Sequence, residues 1–286
     1  MNIYAPREIT ALLESHGLAL SKQRGQNFLT DMHIAQRIAA AIDEPAASAV
    51  EIGPGIGALT IPLAGRYAGV SAVEFDRGLF QLCTEIHTAL PNVSFIHADI
   101  LEYELPGNSP VDVCGNIPYN ITSPILEWLL ITNAGRWHKA AFMVQKDFAL
   151  RLAASPGDDD YSALTLLLHF AAVMKKKFDV PRSVFYPAPT VDSSVITLTP
   201  HTHTDMKLFP LYRAVVKSLF HSRRKTAHNN LIRSPYLAVP AALVEDAFRQ
   251  CAIPARERGE RLSFDQVYGI TRIFSLAESP AILTPP

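Results

Sequence analysis

The stretch VDVCGNIPY, residues 111–119, combines an apolar run with a polar corner at its end. Residues 111–115 have the near-continuous apolar pattern of a strand that is buried on both faces of a parallel sheet. Asn116, Pro118 and Tyr119 follow that strand directly. Since ligands of open α/β sheets bind just outside the carboxyl ends of the strands, a ligand-binding corner is expected here. An ordinary turn has the same local pattern and remains the alternative.

The residue types of this corner suit the methylation of a planar amine. An exocyclic amino group is a poor nucleophile until acceptors hold its hydrogens, and the Asn116 side-chain oxygen with the main-chain carbonyl of Ile117 or Pro118 offers such acceptors. Tyr119 can stack on the ring, as base-modifying enzymes do with an extruded base. The corner therefore predicts chemistry on the amino group of a base.

Along the chain before and after this corner, short apolar runs alternate with segments of helical periodicity. This pattern predicts an α/β fold with a Rossmann-like, mostly parallel sheet. The predicted strands are residues 49–52, 70–74, 93–97, 111–115, 140–145, 174–180 and 191–199, of which the last two are expected to close the sheet as an antiparallel pair. The predicted helices between them are residues 58–64, 77–89, 123–132 and 146–153. A helix over 31–42 follows the segment 25–29, which is expected to lie over the mouth of the sheet.

Residues 200–205 resemble a linker, and the pattern beyond them is helical throughout. Helices are predicted over 211–220, 227–232, 241–251 and 263–274. The chain is therefore divided into residues 1–204, a catalytic domain whose first 45 residues or so form a helical lid, and residues 205–286, a small all-helical domain.

Charge is distributed unevenly along the 286 residues, although the net charge is only −1. Residues 1–206 contain 14 basic and 21 acidic side chains, whereas residues 207–286 contain 12 and 6. This asymmetry predicts that the C-terminal part binds a polyanion, and a solvated basic face is the alternative.

The remaining composition excludes several classes of protein. Cys83, Cys114 and Cys251 are too widely spaced for a disulfide framework or a zinc site, so reduced thiols and no metal are expected. Residues 1–8 lack an apolar signal core, and the longest mostly apolar stretch, residues 161–174, is short for a membrane span. We therefore expect a cytoplasmic protein that does not enter a membrane, and nothing in the sequence demands more than a monomer.

A glycine-rich turn follows the first predicted strand of the sheet. In the stretch VEIGPGIGA, residues 50–58, the glycines let a ligand approach the backbone, and Glu74 lies at the distance along the chain at which a carboxylate accepts ribose hydroxyls. Asp99 follows the third strand and can accept from an adenine amino group. The dinucleotide fingerprint fits the same glycines. The negative charge of Glu51 and Glu74 favours a cationic sulfonium such as S-adenosylmethionine over a pyrophosphate.

With these motifs in order, the chain closely resembles the ribosomal RNA adenine N6-dimethyltransferases over nearly its whole length. Further stretches that look like family motifs are QNFL at 26–29, FMVQKD at 142–147, residues 181–195 and FHSRRKT at 220–226. The resemblance implies a class I methyltransferase sheet with a small helical C-terminal domain. It also implies transfer of methyl groups from S-adenosylmethionine to two adjacent adenosines near the 3′ end of 16S, small-subunit ribosomal RNA during subunit maturation.

The resemblance assigns roles to individual residues. The implied cofactor contacts are Asn27, Leu29, Gly53, Gly55, Glu74, Asp99 and Asn116. Asn116 and Tyr119 are implied to hold the target adenine, and Phe185 to close over it from the opposite side, although a core phenylalanine is the alternative for Phe185. Cys114 lies inside a strand without a preceding proline, so it is interpreted as a packed thiol and not as a nucleophile.

Contacts with RNA are expected mainly in the C-terminal part. Arg223, Arg224 and Lys225 would bind phosphates, with Arg256, Arg258 and Arg261 nearby in sequence. Lys22 and Arg24 would add to this surface, whereas a solvated face is the better interpretation of the lysine run 175–177.

Two departures from the family pattern leave alternatives open. Ile117 replaces the commoner Leu, and Asp147 stands where Glu is more usual. Ile117 also occurs in the sister family that methylates large-subunit RNA and confers macrolide resistance. Methylation of a glutamine amide in a protein uses a related Asn-Pro-Pro-Tyr corner, but Ile117 and the basic helical tail argue against it.

Overall fold

The computed structural model describes residues 2–18, 27–201, 205–277 and 282–283. The chain divides into two compact units. The first comprises Met1–Ala149 and Met174–Pro200, and the second comprises Leu150–Val173 and His201–Pro286. The predicted division at residues 204 and 205 stays a prediction, and these units differ from it by assigning residues 150–173 to the second. Within the described residues, no helix is both long enough and apolar enough to cross a membrane.

The described residues form eleven strands, most of them in one large sheet. In chain order they are β1 (Phe28–Leu29), β2 (Ser48–Ile52), β3 (Gly69–Glu74), β4 (Val93–His97), β5 (Val111–Asn116), β6 (Trp137–Gln145), β7 (Ala172–Val180), β8 (Phe185–Tyr186), β9 (Ser193–Pro200), β10 (Leu237–Ala238) and β11 (Ile282–Leu283). The large sheet has seven strands in the order β4-β3-β2-β5-β6-β9-β7. All seven predicted strands are present, with ends shifted by a few residues.

The sheet is parallel at its centre and antiparallel towards one edge. β2 pairs in parallel with β3 and β5, β3 with β4, and β5 with β6, whereas β9 runs antiparallel to β6. β5 is buried along residues 111–115, as its apolar run predicts. At Gly115 a Cβ atom would lie 2.8 Å from the Ile52 carbonyl oxygen, so glycine lets these two strand ends pack closely. The predicted mostly parallel sheet is confirmed.

Helices connect the strands of the first unit and make up most of the second. They are α1 (Pro6–Ser15), α2 (Met32–Ala39), α3 (Thr60–Ala64), α4 (Arg77–Ile86), α5 (Thr122–Glu127), α6 (Lys146–Leu152), α7 (Ala163–Ala171), α8 (Phe209–Leu219), α9 (Ala227–Ile232), α10 (Ala241–Gln250) and α11 (Phe264–Leu276). The helix predicted over 123–132 is present, but its second half is not an α-helix. α5 gives way to a π-helix, Trp128–Thr132, where the Asn133 N–H donates to the Trp128 carbonyl five residues earlier.

The sequence analysis missed α7. Its helix begins with a capping box, in which Ser162 and Thr165 satisfy each other's main-chain N–H groups. Six of its nine residues are buried, so the helix has no hydrophilic face on which to predict an amphipathic pattern. Phe170 packs against the rings of Phe209, Tyr212 and Tyr268, which places α7 in the core of the second unit.

The N-terminal segment of the first unit contributes one strand to a separate, two-stranded antiparallel sheet. β1 pairs with β8, so Phe28 lies opposite Tyr186 and Leu29 opposite Phe185. α2 begins after Asp31, whose side chain accepts from the Ile34 N–H, and its buried face includes Ile38. The role of residues 1–45 as a lid stays a prediction.

Candidate active site

A cavity of about 370 Å³ opens at the carboxyl ends of the first four parallel strands. It is lined by residues that follow β2, β3, β4 and β5, together with the segment around β1. All seven predicted cofactor residues line it: Asn27, Leu29, Gly53, Gly55, Glu74, Asp99 and Asn116. Residues from widely separated motifs therefore meet in one place at the sheet edge where the strand pattern predicted a ligand.

The turn after β2 forms the floor of the cavity through its backbone. Gly53, Gly55 and Gly57 have φ values of 63°, 62° and 87°, which side chains other than glycine rarely adopt. At Gly55 a Cβ atom would lie 3.1 Å from the Phe28 ring, so a side chain there would also crowd β1. The glycines thus serve both the turn geometry and the close approach of the N-terminal segment.

Glu74 ends β3 and binds two main-chain groups at the cavity. Its Oε2 atom accepts from the Gly55 N–H at 3.2 Å and its Oε1 atom accepts from the Asp76 N–H at 2.8 Å. Burial raises the pKa of this carboxyl, and the main-chain hydrogen bonds oppose that rise. The contact with Gly55 connects the end of β3 to the glycine turn.

Glu51 is a second, more deeply buried carboxyl in the cavity wall. It lies in β2, is only 1% exposed, and within the described residues its Oε2 atom has no hydrogen-bond partner. Burial, together with repulsion from Glu74, raises the pKa of Glu51 to about 8. The sequence analysis noted Glu51 only for its charge. Its position between apolar residues of a buried strand was the signal that it would be desolvated.

Asp99 and Phe75 line the adjacent part of the cavity. Asp99 follows β4, and its Oδ1 atom accepts from the Leu101 N–H at 2.9 Å. Phe75 was missed by the sequence analysis, although it directly follows Glu74. It is 64% exposed despite its large apolar ring. An exposed aromatic ring at the mouth of a cavity offers a face for a planar ligand.

The corner after β5 lines the cavity beside the glycine turn, since Gly115 pairs with Ile52 in the neighbouring strand. The Asn116 side-chain nitrogen donates to the Asn27 carbonyl at 3.1 Å, and the Ile117 N–H donates to the Met143 carbonyl at 3.0 Å. Pro118 lines the cavity as well, as do Asn120 and Ile121, which the sequence analysis did not single out. They lie in the helical turn after the corner, where a strand-end pattern gives no signal.

Tyr119 and Phe185 are not among the residues that line the cavity, although Tyr119 directly follows Pro118, which does line it. The Tyr119 hydroxyl shares a hydrogen bond of 2.9 Å with Ser193 Oγ, and burial raises the pKa of Tyr119. Phe185 is buried in β8 opposite Leu29 and packs in the core of the first unit. Their roles in holding a base stay predictions.

Cys114 is fully buried inside β5, and burial raises the pKa of its thiol. A thiol held neutral in this way is a poor nucleophile. The interpretation of Cys114 as a packed core thiol is confirmed.

A second cavity, of about 560 Å³, lies in the second unit and brings four of the predicted basic residues together. Arg223, Arg256, Arg258 and Arg261 line it, although they come from two segments of the chain. The acidic residues Asp158, Asp159, Glu257 and Glu260 line the same cavity. The Gly157 N–H donates to the Glu260 carbonyl at 2.9 Å and joins the two loops.

The other predicted basic residues have different surroundings. Arg224 and Lys225 are exposed and lie outside this cavity. In the lysine run, Lys176 pairs with Asp179 at 2.7 Å and Lys177 with Asp43 at 3.0 Å. Lys22 and Arg24 lie outside the described residues.

The sequence has many relatives among known proteins. Residues 17–242 match the family model described as "Ribosomal RNA adenine dimethylase". A protein from Shouchella clausii named ribosomal RNA small subunit methyltransferase A is 38% identical over 274 residues, which cover 92% of each chain. The protein of the same name from Moorella thermoacetica is 36% identical over 286 residues, which cover 95% of this chain and 98% of the relative.

Solved structures give the same result for the fold. A dimethyladenosine transferase from Plasmodium falciparum superimposes with a TM-score of 0.72 and 25% identity, covering 85% of this chain and 95% of the other. The 23S rRNA methyltransferase ErmE superimposes with a TM-score of 0.67 and 28% identity, covering 86% and 99%. These matches confirm the predicted class I methyltransferase fold. The chain is thus a methyltransferase and belongs to the ribosomal RNA adenine dimethylase family.

Proposed function

We propose that the chain transfers methyl groups from S-adenosylmethionine to N6 of two adjacent adenosines near the 3′ end of small-subunit, 16S-type ribosomal RNA. The observation that carries the proposal is that Asn116 lines the same cavity as Gly53, Glu74 and Asp99. A site for a base amine and a site for a nucleoside thus adjoin, which in-line transfer between two bound substrates requires.

The cavity suits S-adenosylmethionine in shape and charge. Its glycine turn admits a ligand close to the backbone, and Glu74 and Asp99 offer acceptors for ribose hydroxyls and an adenine amino group. Glu51 lines the same cavity, and among the described residues its Oε2 atom has no hydrogen-bond partner, so a cationic group bound there would favour the ionised form of this carboxyl. When bound, S-adenosylmethionine would supply an electrophilic methyl group.

On the substrate side, the amide of Asn116 is oriented by its hydrogen bond to the Asn27 carbonyl. Because the carbonyl accepts, the Asn116 nitrogen is the donor, and the Oδ1 atom is the one left to accept a hydrogen from the adenine amine. Tyr119 and Phe185 would stack on the extruded base from its two sides. Since neither ring lines the donor cavity, both would meet the base outside it.

The residues of the site act by positioning and electrostatics. Asn116 Oδ1 and the Pro118 carbonyl would hold the amine so that its lone pair points at the donor. The amine sheds its proton to solvent after transfer, so no dedicated base is required. A second transfer needs room for the first methyl group while the remaining hydrogen stays bound to one acceptor.

We assign docking of the RNA to residues 205–286. Arg223, Arg224 and Lys225 would contact phosphates, and the arginines that share a cavity with Arg223 extend this surface. The partner would be an immature small ribosomal subunit, the location the cytoplasm, and the working form a monomer. A helical RNA element read through its phosphates fits such a surface.

The alternative functions are methylation of large-subunit RNA and methylation of a glutamine amide in a protein. The relatives with 36 to 38% identity carry the small-subunit name, whereas the 23S rRNA methyltransferase ErmE is 28% identical. The family model is one of RNA adenine dimethylases, which disfavours a protein substrate.

A comparison of substrates tests the proposal. The purified chain would be incubated with labelled S-adenosylmethionine and, separately, with immature small subunits, large-subunit RNA or protein release factors. We expect label only in small-subunit RNA, recovered as N6,N6-dimethyladenosine after digestion. Label confined to either of the other substrates would refute the proposal.

A further inference from the structure

Two side chains at the end of α4 contact main-chain carbonyl groups of the glycine turn. Cys83 Sγ donates to the Gly55 carbonyl at 2.9 Å, and His87 Nε2 lies 2.9 Å from the Ile56 carbonyl oxygen. Because a carbonyl only accepts, Nε2 carries the proton in this contact. Cys83 and His87 are four residues apart, which brings them to the same face of one helix end. Neither residue lines the donor cavity.

The surroundings of His87 hold its ring in place. The residue is 8% exposed, and its ring stacks on Phe95 with a centroid distance of 5.9 Å. At the Nε2 edge of the ring, a Cβ atom at Gly57 would lie 2.1 Å from His87 Nε2, so the glycine leaves the space that the ring occupies. Burial keeps the pKa of the Cys83 thiol well above its ordinary value, so the sulfur remains a neutral donor.

This arrangement has a consequence for the ligand side of the turn. In a trans peptide the carbonyl of one residue and the N–H of the next point in opposite directions. A carbonyl turned towards α4 therefore directs the following N–H away from α4. Ile56 itself lines the cavity, as do Gly53 and Gly55. The N–H groups of the three glycines are already bound, that of Gly53 by the Val73 carbonyl, that of Gly55 by Glu74 and that of Gly57 by the Pro54 carbonyl. The contacts from α4 add restraints on the carbonyl groups of Gly55 and Ile56, and so favour one conformation of a turn whose glycines could adopt others.

We propose that His87, together with Cys83, is a positioning residue that preorganises the glycine turn for the methyl donor. The inference rests on the proposed use of S-adenosylmethionine. A turn that is already ordered loses less entropy on binding, so these residues are expected to strengthen donor affinity without taking part in transfer. They therefore affect the KM for the donor and leave kcat and the KM for RNA near their normal values.

Variants of His87 separate positioning from simple packing. His87→Leu keeps an apolar side chain against Gly57 but removes the N–H group that hydrogen-bonds the turn. We expect the affinity for S-adenosylmethionine to fall about five- to tenfold. His87→Gln restores an N–H group at the end of the side chain and is expected to recover most of the lost affinity. Thr84→Ala, on the exposed face of the same helix, is the matched control and is expected to bind the donor normally.

The full-length chain would be titrated with S-adenosylmethionine and S-adenosylhomocysteine by calorimetry, and steady-state kinetics would give both KM values and kcat. If His87→Leu does not fold, Cys83→Ala compared with Cys83→Ser decides the question through the same readouts. Unchanged donor affinity in a folded His87→Leu variant, or no recovery in His87→Gln, would overturn the inference. Failure of the unmutated chain to bind either ligand would instead refute the proposed function, on which the inference rests.

Discussion

The side-chain nitrogen of Asn116 donates a hydrogen bond to the main-chain carbonyl of Asn27, 3.1 Å away and 89 residues earlier in the chain. This contact joins the corner after β5 to the segment that carries β1. It also orients the amide group of Asn116. The same side chain thus forms part of the donor cavity and part of the proposed substrate site. Asn116 is therefore the residue whose replacement is expected to have the largest effect.

Asn116→Ala is expected to lower the rate of methyl transfer by about 100-fold or more at saturating concentrations of both substrates, because the acceptor for the amine is lost. Single-turnover kinetics would measure the rate, and thermal unfolding would verify the fold. Asn116→Asp keeps an acceptor but cannot donate to the Asn27 carbonyl. A rate of transfer in Asn116→Ala close to that of the unmutated chain would refute the assigned role.

The stability of the unliganded protein is expected to fall as the pH rises from 5 to 8 because of Glu51. Its pKa of about 8 lies above the ordinary value of 4.5, so the folded state binds more protons than the unfolded state between these values. The stabilisation that Glu51 contributes is complete below the pKa of its carboxyl in the unfolded state. It decreases by up to about 1.4 kcal/mol per pH unit as the pH rises towards the pKa in the folded state. Denaturant unfolding at several pH values would measure it. Glu51→Gln should show a flatter dependence, and equal slopes in both proteins would contradict the prediction.

The hydrogen bond between Tyr119 and Ser193 is expected to hold the tyrosine ring for stacking on the base. Tyr119→Phe and Ser193→Ala each remove this bond and keep the ring, so both should raise the KM for RNA by a similar factor of about 2 to 10. If the bond is the cause, the double variant will resemble either single variant. If the two effects are instead fully additive in the double variant, a shared mechanism is excluded.

Replacement of Arg223 and Arg224 by glutamine is expected to weaken RNA binding and to flatten its dependence on salt, since fewer counterions are released when fewer phosphates are contacted. Binding to immature small subunits would be measured at several ionic strengths. Arg249→Gln in the same unit, where the arginine pairs with Asp246, is the control and should change the slope little. An unchanged salt slope in the double variant would count against this docking surface.

Phe170→Ala is expected to destabilise the second unit by about 3–5 kcal/mol, because it empties a fully buried position among three aromatic rings. Chemical denaturation would give the free energy of unfolding. Leu276→Ala, at a position that is 76% exposed, should change it by less than about 0.5 kcal/mol. Similar losses in the two variants would show that α7 is not part of that core.

Local pattern alone determined the sheet and the position of the donor site. Buried strands such as β5 are short apolar runs, and polar residues at their ends must meet because parallel strands end at the same edge. The glycine turn, Glu74, Asp99 and Asn116 were found in this way, and all of them line the cavity. The contacts that complete the site join residues far apart along the chain, and the periodicity of the sequence does not encode such contacts.

Tertiary structure decided which residues contact one another across the chain. The sequence predicted a ligand at Asn116 but not its bond to Asn27. It placed Glu51 near the turn without showing that, among the residues that the structure describes, one oxygen of its carboxyl group has no hydrogen-bond partner. It also gave no signal that α7 belongs to the second unit, because a helix that is apolar on all sides can be buried against any core. Short-range pattern specifies the elements, whereas burial and hydrogen bonding between distant residues depend on the packing of the whole unit.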